Sequence, residues 1–474
     1  MIRTMLAGVT ATLATAVSLA GQTRSPGVQK YVSVEAPVIA ITGVKLIDGT
    51  GRPARENQTV IIRGNKIAEV GPTGQIKPPA DARVIDGTGH TVIPGMVGMH
   101  DHLFYTAGGG RAAQATYTAP RLYLASGVTT IRTTGASSAY GDLFVKQKVD
   151  GGQMPGPRVH VTAPYLTGAA NQSPTQAMVT SPEAARRFVR YWHDEGATWI
   201  KAYTDVRRAE LKAAIDEAHK LGMKVTGHLC SVSYQEAVAL GIDNLEHGML
   251  TATDFYADKP VDVCPTDAYG VVAKADPAGP TAKATISALV SKRIPMTSTL
   301  PVFEAFVPRR PVTDQRTLDA MAPEVRERYL QDRKRIDAAG EDYLFSEAAF
   351  KRAMQFEREF VKAGGLMAAG VDPTGNGGAL PGFGDQRGYE LLREAGFSPE
   401  EAVQIVSLNG AKVLGADQEL GTIEAGKLAD LMLLRGDLAA DPAAIRNGVT
   451  IFKDGVGYDP AKLIADVKGR VGVN

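Results

Sequence analysis

The stretch VIPGMVGMHDHLFY, residues 92–105, closes an apolar, glycine-punctuated run on two histidines separated by one residue. A run of this kind reads as a buried β-strand, and residues two apart on a strand share a face. His100 and His102 therefore point the same way and are placed to grip one cation. Asp101 faces the opposite side and is not counted as a ligand. The pair gains weight from residues at the ends of later apolar runs: Lys201 in TWIKAYTD, His228 in KVTGHL, His247 in DNLEHG and Asp372 in LMAAGVDPTG.

Working outward, eight apolar runs alternate with amphipathic helical stretches. The runs lie near 94–102, 127–135, 157–167, 198–205, 224–229, 243–248, 294–302 and 366–375. Helical stretches such as SPEAARRFVRYWHDEG and RRAELKAAIDEAHKLG fall between them, the second ending on a glycine cap. Repeated βα units of this kind build a parallel sheet. Eight of them predict an α/β chain with a closed (β/α)8 barrel, whose chemistry lies at the C-terminal ends of the strands. A doubly wound open sheet is the alternative architecture.

Both flanks change period. Residues 33–90 carry short alternating runs with turn signals at Asp48-Gly49, Gly64-Asn65 and Asp86-Gly87, and similar runs return at 421–458. The expected division is a small β-sandwich built from both ends, 33–90 plus 418–474, with the barrel at 91–417. Two loops exceed what a barrel needs, 249–282 and 302–345, the latter with Arg309-Arg310. Both are expected at the catalytic face, as lids or substrate walls, with plain insertions as the alternative.

With 52 basic and 51 acidic residues in 474, nothing favours nucleic acid or an anionic membrane as a partner. Residues 1–20, MIRTMLAGVTATLATAVSLA, have the layout of a secretory signal peptide cleaved after Ala20. The expectation is a secreted or periplasmic protein with no stable membrane association after cleavage. Cys230 and Cys264 are the only cysteines. Export permits a disulfide between them; a thiolate metal ligand is the other reading.

A hydrolytic metal centre needs deprotonated nitrogen and oxygen ligands that leave a position for water. His100, His102, His228, His247 and Asp372 supply such groups at one end of the expected barrel. Lys201 sits inside an apolar strand, with Tyr203 on its face. Burial lowers a lysine's pKa, and a neutral amine reacts with CO2 to give an anionic carbamate that can bridge two cations.

These features resemble the amidohydrolase superfamily, in its exported branch of imidazolonepropionase-like and dipeptidase-like members. The resemblance also rests on GVTTIR, NLEHG, SPEEAVQIVSLNGAKVLG and GTIEAGKLADLMLL. It implies a distorted (β/α)8 TIM barrel beside a β-sandwich, and two divalent ions, zinc being favoured by the ligand types. His100, His102 and Asp372 would hold the more buried metal and His228 and His247 the other, with carboxylated Lys201 between them. A metal-bridging hydroxide would attack a carbonyl, Asp372 would shuttle the proton, and Tyr203 would assist the oxyanion.

Loop sequence departs from the resemblance. LTGAANQSP places Asn171 where many dipeptidase-like members carry a histidine, and Arg132-Thr133 stands where relatives often read Arg-Asp. Arg387, in the loop after Asp372, is a candidate for a substrate carboxylate, or for a salt bridge with Asp385 or Glu390. Tyr234 is a second candidate substrate contact. The expected activity is hydrolysis of an amide-type bond in a dipeptide or N-acyl amino acid, a small-molecule substrate. Alternatives are a cyclic amide, lactone or carbamate hydrolase, a mononuclear deaminase that would not need Lys201, and a non-catalytic binding barrel. A homo-oligomer is left open.

Overall fold

The computed structural model describes residues 24–107, 111–170, 173–310, 314–340, 343 and 345–473. The expected signal segment 1–20 and Asn171 lie outside them. Each of the eight apolar runs contains a strand. In chain order these are Met96–Asp101, Val128–Thr133, Arg158–His160 continuing as Thr162–Thr167, Trp199–Ala202, Lys224–Gly227, Asn244–Glu246, Met296–Ser298 and Met367–Ala369.

All their pairings are parallel. The first three strands form one sheet. The third to eighth form a second, with Ala177–Met178 at its edge, and the third strand serves both sheets across a break at Val161. Neighbours in space are neighbours in sequence throughout, without the reversal of order that a doubly wound sheet shows. The eighth strand runs beside the first: beyond its end, Asp372 N donates to His100 O at 2.8 Å.

The strands are short because their ends are spent on other geometry. The run at 294–302 turns helical at Leu300–Glu304, where Pro301 occupies the first turn. The run at 366–375 stops at Ala369, so Asp372 sits three residues past the strand on a loop. Between strands, helices present one apolar stripe to the sheet. In Pro182–Asp194 the buried residues Ala185, Val189 and Trp192 recur at spacings of four and three. Ser181 caps that helix by accepting from Ala184 N.

The two flanks join in one nine-stranded sheet. Its order is Val32–Val34, Val456–Tyr458, Gly448–Lys453, Leu431–Arg435, His90–Pro94, Val38–Leu46, Arg55–Arg63 and Lys66–Pro72, with Arg83–Asp86 beside Val38–Leu46. Hydrogen bonding is continuous where two packed sheets are expected, because the sheet curls on itself. Ile67 N donates to Lys427 O and Ala429 N to Asn65 O, both at 2.9 Å, which brings the Lys66–Pro72 edge back to the approach of Leu431–Arg435. Ile39, Ile41, Val60, Ile62, Leu431, Leu433 and Phe452 are enclosed between the curled faces.

The long loops are structured where described. Residues 249–282 hold the short helix Ala268–Val272, and 302–345 hold the helices Gln315–Ala320 and Pro323–Asp337. Among the described residues no helix is long and apolar enough to cross a membrane.

Candidate metal centre

A cavity of about 340 Å³ opens at the C-terminal ends of the parallel strands. His100, Lys201, Tyr203, His228, His247 and Asp372 line it, together with Phe104 and Tyr165. Every strand-end residue singled out from the sequence reaches it except His102, which is fully buried beneath and lies with its Nε2 3.3 Å from Asp372 Oδ1. His100 Nε2 is 3.6 Å from the other Asp372 oxygen. One ligand atom from each of His100, His102 and Asp372 falls within 4.8 Å of the others. The ring of His247 lies 4.5 Å from that of His100 and 4.4 Å from that of His228.

Each imidazole is held from behind, as metal-binding histidines are. His102 Nδ1 faces Gly135 O at 2.9 Å, His100 Nδ1 faces Glu246 Oε2 at 2.8 Å and His247 Nδ1 faces Thr299 Oγ1 at 2.8 Å. His228 is anchored through its other nitrogen, with Nε2 2.8 Å from Tyr269 Oη. In each case the second ring nitrogen is free of this anchor. Among the described residues, neither His247 Nε2 nor Lys201 Nζ has a hydrogen-bond partner, although both are buried. Orphaned buried polar atoms are costly, and here they converge with a carboxylate on one space. This donor set fits divalent cations bound by nitrogen and oxygen.

The electrostatics favour ligation over protonation. Burial lowers His228 to about 3 and holds His100 and His247 well below the usual imidazole range, with nearby Lys201 adding to the effect at each. Burial also lowers Lys201 to about 8. At Asp372 burial opposes ionisation, but His100, His102 and the Thr374 hydroxyl outweigh it and keep the carboxylate charged. Two of the candidate ligands carry backbone strain: His247 has φ of 73° and Asp372 φ of 47°, a region that non-glycine residues rarely adopt outside functional sites.

Residues that the sequence reading passed over complete the support. Glu246, buried, links His100 to Arg132, whose guanidinium stacks 4.5 Å above the Trp199 ring. In place of the expected acid, Thr133 Oγ1 accepts from Thr162 N at 3.0 Å. Asp101 turns away from the cavity and accepts from Val371 N at 3.2 Å. Gly98 is required beside it, since a Cβ there would lie 1.8 Å from Asp101 Oδ2. From the loop 302–345, Phe303 packs edge-on against His247 at 5.6 Å, and Phe345 lies 5.7 Å from Phe303.

Two sequence expectations are corrected, and the open reading of the cysteines is decided. Arg387 does not reach the cavity: its guanidinium grips buried Glu304 through Nε and Nη2 at 2.9 and 2.7 Å, and Glu390 through Nη1 at 2.6 Å. Glu390 is one of the two acids expected as a salt-bridge partner, whereas Glu304 comes from the end of the helix Leu300–Glu304, 83 residues away. Tyr234 is also buried away from the cavity, its hydroxyl bound to Gly248 O at 2.9 Å and Thr251 Oγ1 at 2.7 Å. Cys230 is no thiolate ligand; it forms a disulfide with Cys264, with Cα atoms 4.9 Å apart.

With this geometry in view, comparison places the chain. The model of the Amidohydrolase family matches residues 91–265 and 324–461, more than half of the sequence. Bottromycin amidohydrolase shares the fold with a TM-score of 0.69, at 19% identity over 91% of each chain. A Xaa-Pro dipeptidase crystallised with methionine in its active site superposes with a TM-score of 0.65, at 21% identity, covering 89% of this chain and 100% of that one. The 5-methylthioadenosine/S-adenosylhomocysteine deaminase of Moorella thermoacetica is 34% identical over 84 residues, which is 16% of this chain and 19% of that enzyme. The aligned segment thus spans less than a fifth of that relative. The match through both halves of the parallel-stranded core makes this chain an enzyme of the Amidohydrolase family.

Proposed function

We propose that this enzyme hydrolyses an amide-type carbon–nitrogen bond in a dipeptide or N-acyl amino acid, using two divalent cations, zinc by preference. The observation that carries the reading is the convergence of His100, His102 and Asp372 within 4.8 Å, with Lys201, His228 and His247 on the same cavity wall. His100, His102 and Asp372 would hold the more buried cation, and His228 and His247 the other. Lys201 would lie between them as a carbamate: its neutral Nζ forms a bond to the carbon of CO2 and releases one proton, leaving an anionic carboxylate.

When bound, the cations lower the pKa of water and polarise the scissile carbonyl. The chain's own residues do the rest. Asp372, ionised in the fold, accepts the proton from the attacking water and delivers it to the leaving nitrogen. Tyr203, whose phenol burial keeps protonated, faces the cavity and donates to the oxygen that gains charge. Phe303 packs edge-on against His247 and helps hold its ring.

The two parallel sheets are read as one distorted (β/α)8 barrel over 91–417, which the sequential strand order and the Asp372–His100 backbone bond support. The curled sheet of 33–90 plus 418–474 is read as the companion domain. Export is part of the same reading, supported by the layout of residues 1–20 and by the Cys230–Cys264 disulfide, which suits an oxidising compartment.

A second reading has one observation in its favour: the short match to an adenosine-type deaminase. A mononuclear deaminase would leave Lys201 without a task. Elemental analysis of the purified protein, with turnover on dipeptides, N-acyl amino acids, cyclic amides, lactones, carbamates and adenosines, separates the two. Two metals per chain with peptide or N-acyl turnover supports the first reading. One metal with ammonia release from an adenosine overturns it.

A further inference from the structure

His228 follows the fifth strand directly, lines the cavity, and has its Nε2 2.8 Å from Tyr269 Oη. Tyr269 lies 41 residues away, on the short helix Ala268–Val272 of the loop 249–282. The disulfide joins the backbone on both sides of this contact, since Cys230 lies just past His228 and Cys264 just ahead of Tyr269. Upstream the loop is tied by Asp254, which accepts from Tyr234 N at 2.8 Å, and downstream by Arg352, which donates to Ala273 O at 2.9 Å. Between these ties Val261 and Val263, next to Cys264, are 61% and 50% exposed, while Ala268 and Val272 of the Tyr269 helix are buried. Lys259 and Asp262 add polar contacts to Ser231 O and Arg208. The one covalent link in the stretch is therefore the disulfide.

We propose that Tyr269 is a positioning residue that fixes the tautomer and direction of His228 for the second cation, and that the Cys230–Cys264 disulfide holds Tyr269 in place. The proposal rests on the reading of His228 as a metal ligand. Its logic is that of an outer hydrogen bond to a ligating imidazole. The tyrosine hydroxyl accepts from Nε2–H, which leaves Nδ1 bare, and loss of such a partner weakens metal binding about 10–100-fold. Reduction of the disulfide would act through the same contact, by loosening the loop that carries the hydroxyl.

The test is a zinc titration of the full-length protein against a chromophoric chelator, reading the affinities of both sites. Tyr269→Phe keeps the ring and removes the hydroxyl; it is expected to weaken one zinc about 10–100-fold and leave the other unchanged. The Cys230→Ser/Cys264→Ser variant, and the parent reduced with a phosphine, are expected to weaken the same zinc. Tyr269→Phe added to the disulfide variant is expected to cause no further loss, as coupled sites behave. His228→Ala loses one zinc whatever Tyr269 does. Parental affinity at both sites in Tyr269→Phe, with one zinc absent in His228→Ala, overturns the proposal and spares the metal reading. Two zincs retained in His228→Ala overturn both. If the cysteine variant fails to fold, Tyr269→Phe and the reduced parent decide.

Discussion

Glu246 Oε2 sits 2.8 Å from His100 Nδ1, and the other oxygen of the same carboxylate receives the buried guanidinium of Arg132. One acid thus orients a candidate ligand and neutralises an internal cation. Burial alone would push Glu246 up, but Arg132 and Lys201 hold it below the usual carboxylate range, so it remains an anion behind His100.

Removing one member of a buried ion pair strands the other, at a cost of about 3–5 kcal/mol. Arg132→Met is expected to lower stability in urea unfolding by about that amount. Glu246→Gln keeps the shape but loses the charge, and is expected to weaken metal binding about 10–100-fold. The double variant is expected to lose less stability than the two single losses added. Strict additivity would show that the pair is not coupled.

Lys201 sets a pH dependence for assembly of the site. With burial lowering the amine to about 8, roughly a tenth of it is neutral at pH 7, and only the neutral form takes up CO2. Reactivation of metal-stripped protein by zinc with bicarbonate is expected to speed up from pH 6 to 8 and level off above. Lys201→Ala is expected to abolish most metal uptake and activity. An alanine variant that retains two metals and full turnover would refute the bridging role.

Arg387 gives a prediction opposite to that of a substrate-binding residue. With its fork spent on Glu304 and Glu390, Arg387→Ala is expected to cost about 1–3 kcal/mol of stability, part of the charge on Glu304 remaining matched by Arg310. The KM for substrates with a free carboxylate is expected to match that for their amides in the same ratio as in the parent. A selective rise for the carboxylates would return Arg387 to the substrate site.

Three buried acids outside the ligand set carry their protons in the fold. Burial raises Glu357 to about 8 and Asp142 and Asp385 to about 7. In the unfolded chain these groups ionise near their ordinary values of 4.5 and 3.8. Between those limits these three acids bind more protons in the folded than in the unfolded chain, so their contribution to stability is fullest below the unfolded values and falls as pH rises toward 8. Below about pH 6.5 the buried histidines, neutral in the fold but protonated in the unfolded chain, oppose this trend, so urea midpoints are expected to decline from pH 7 to pH 8. Glu357→Gln, neutral at every pH, is expected to make that decline shallower; an unchanged slope would remove Glu357 from the cause.

Much of the site was legible because its residues stand at strand ends, where the period of two and the barrel rule say which way a side chain points. His100, His102, Lys201, His228 and His247 were found this way, and Asp372 by its place toward the end of the eighth run, 366–375. Glu246 was in plain sight within NLEHG, on the same face as Asn244. A carboxylate meeting its histidine across 146 residues leaves no local pattern. Glu390 was named as a partner of Arg387 and is one, but Tyr269 and the second partner, Glu304, were hidden for the same reason, since both lie in long insertions whose course no periodicity dictates. The flanking strands were readable one by one, but their union depends on His90–Pro94 pairing with Leu431–Arg435, and the curl on the backbone bonds of Asn65 and Ile67 to residues 427–429.

That curled sheet has a consequence for how the molecule comes into being. His90–Pro94 needs Leu431–Arg435 alongside it, yet about 340 residues separate their emergence from the ribosome. At ordinary translation speeds the earlier strand waits roughly 20–70 s with one flank bare. An unpaired edge invites the wrong neighbour. The nascent chain therefore depends on a holding factor, or on the parallel-stranded core forming first, until its last hundred residues arrive to shield that margin.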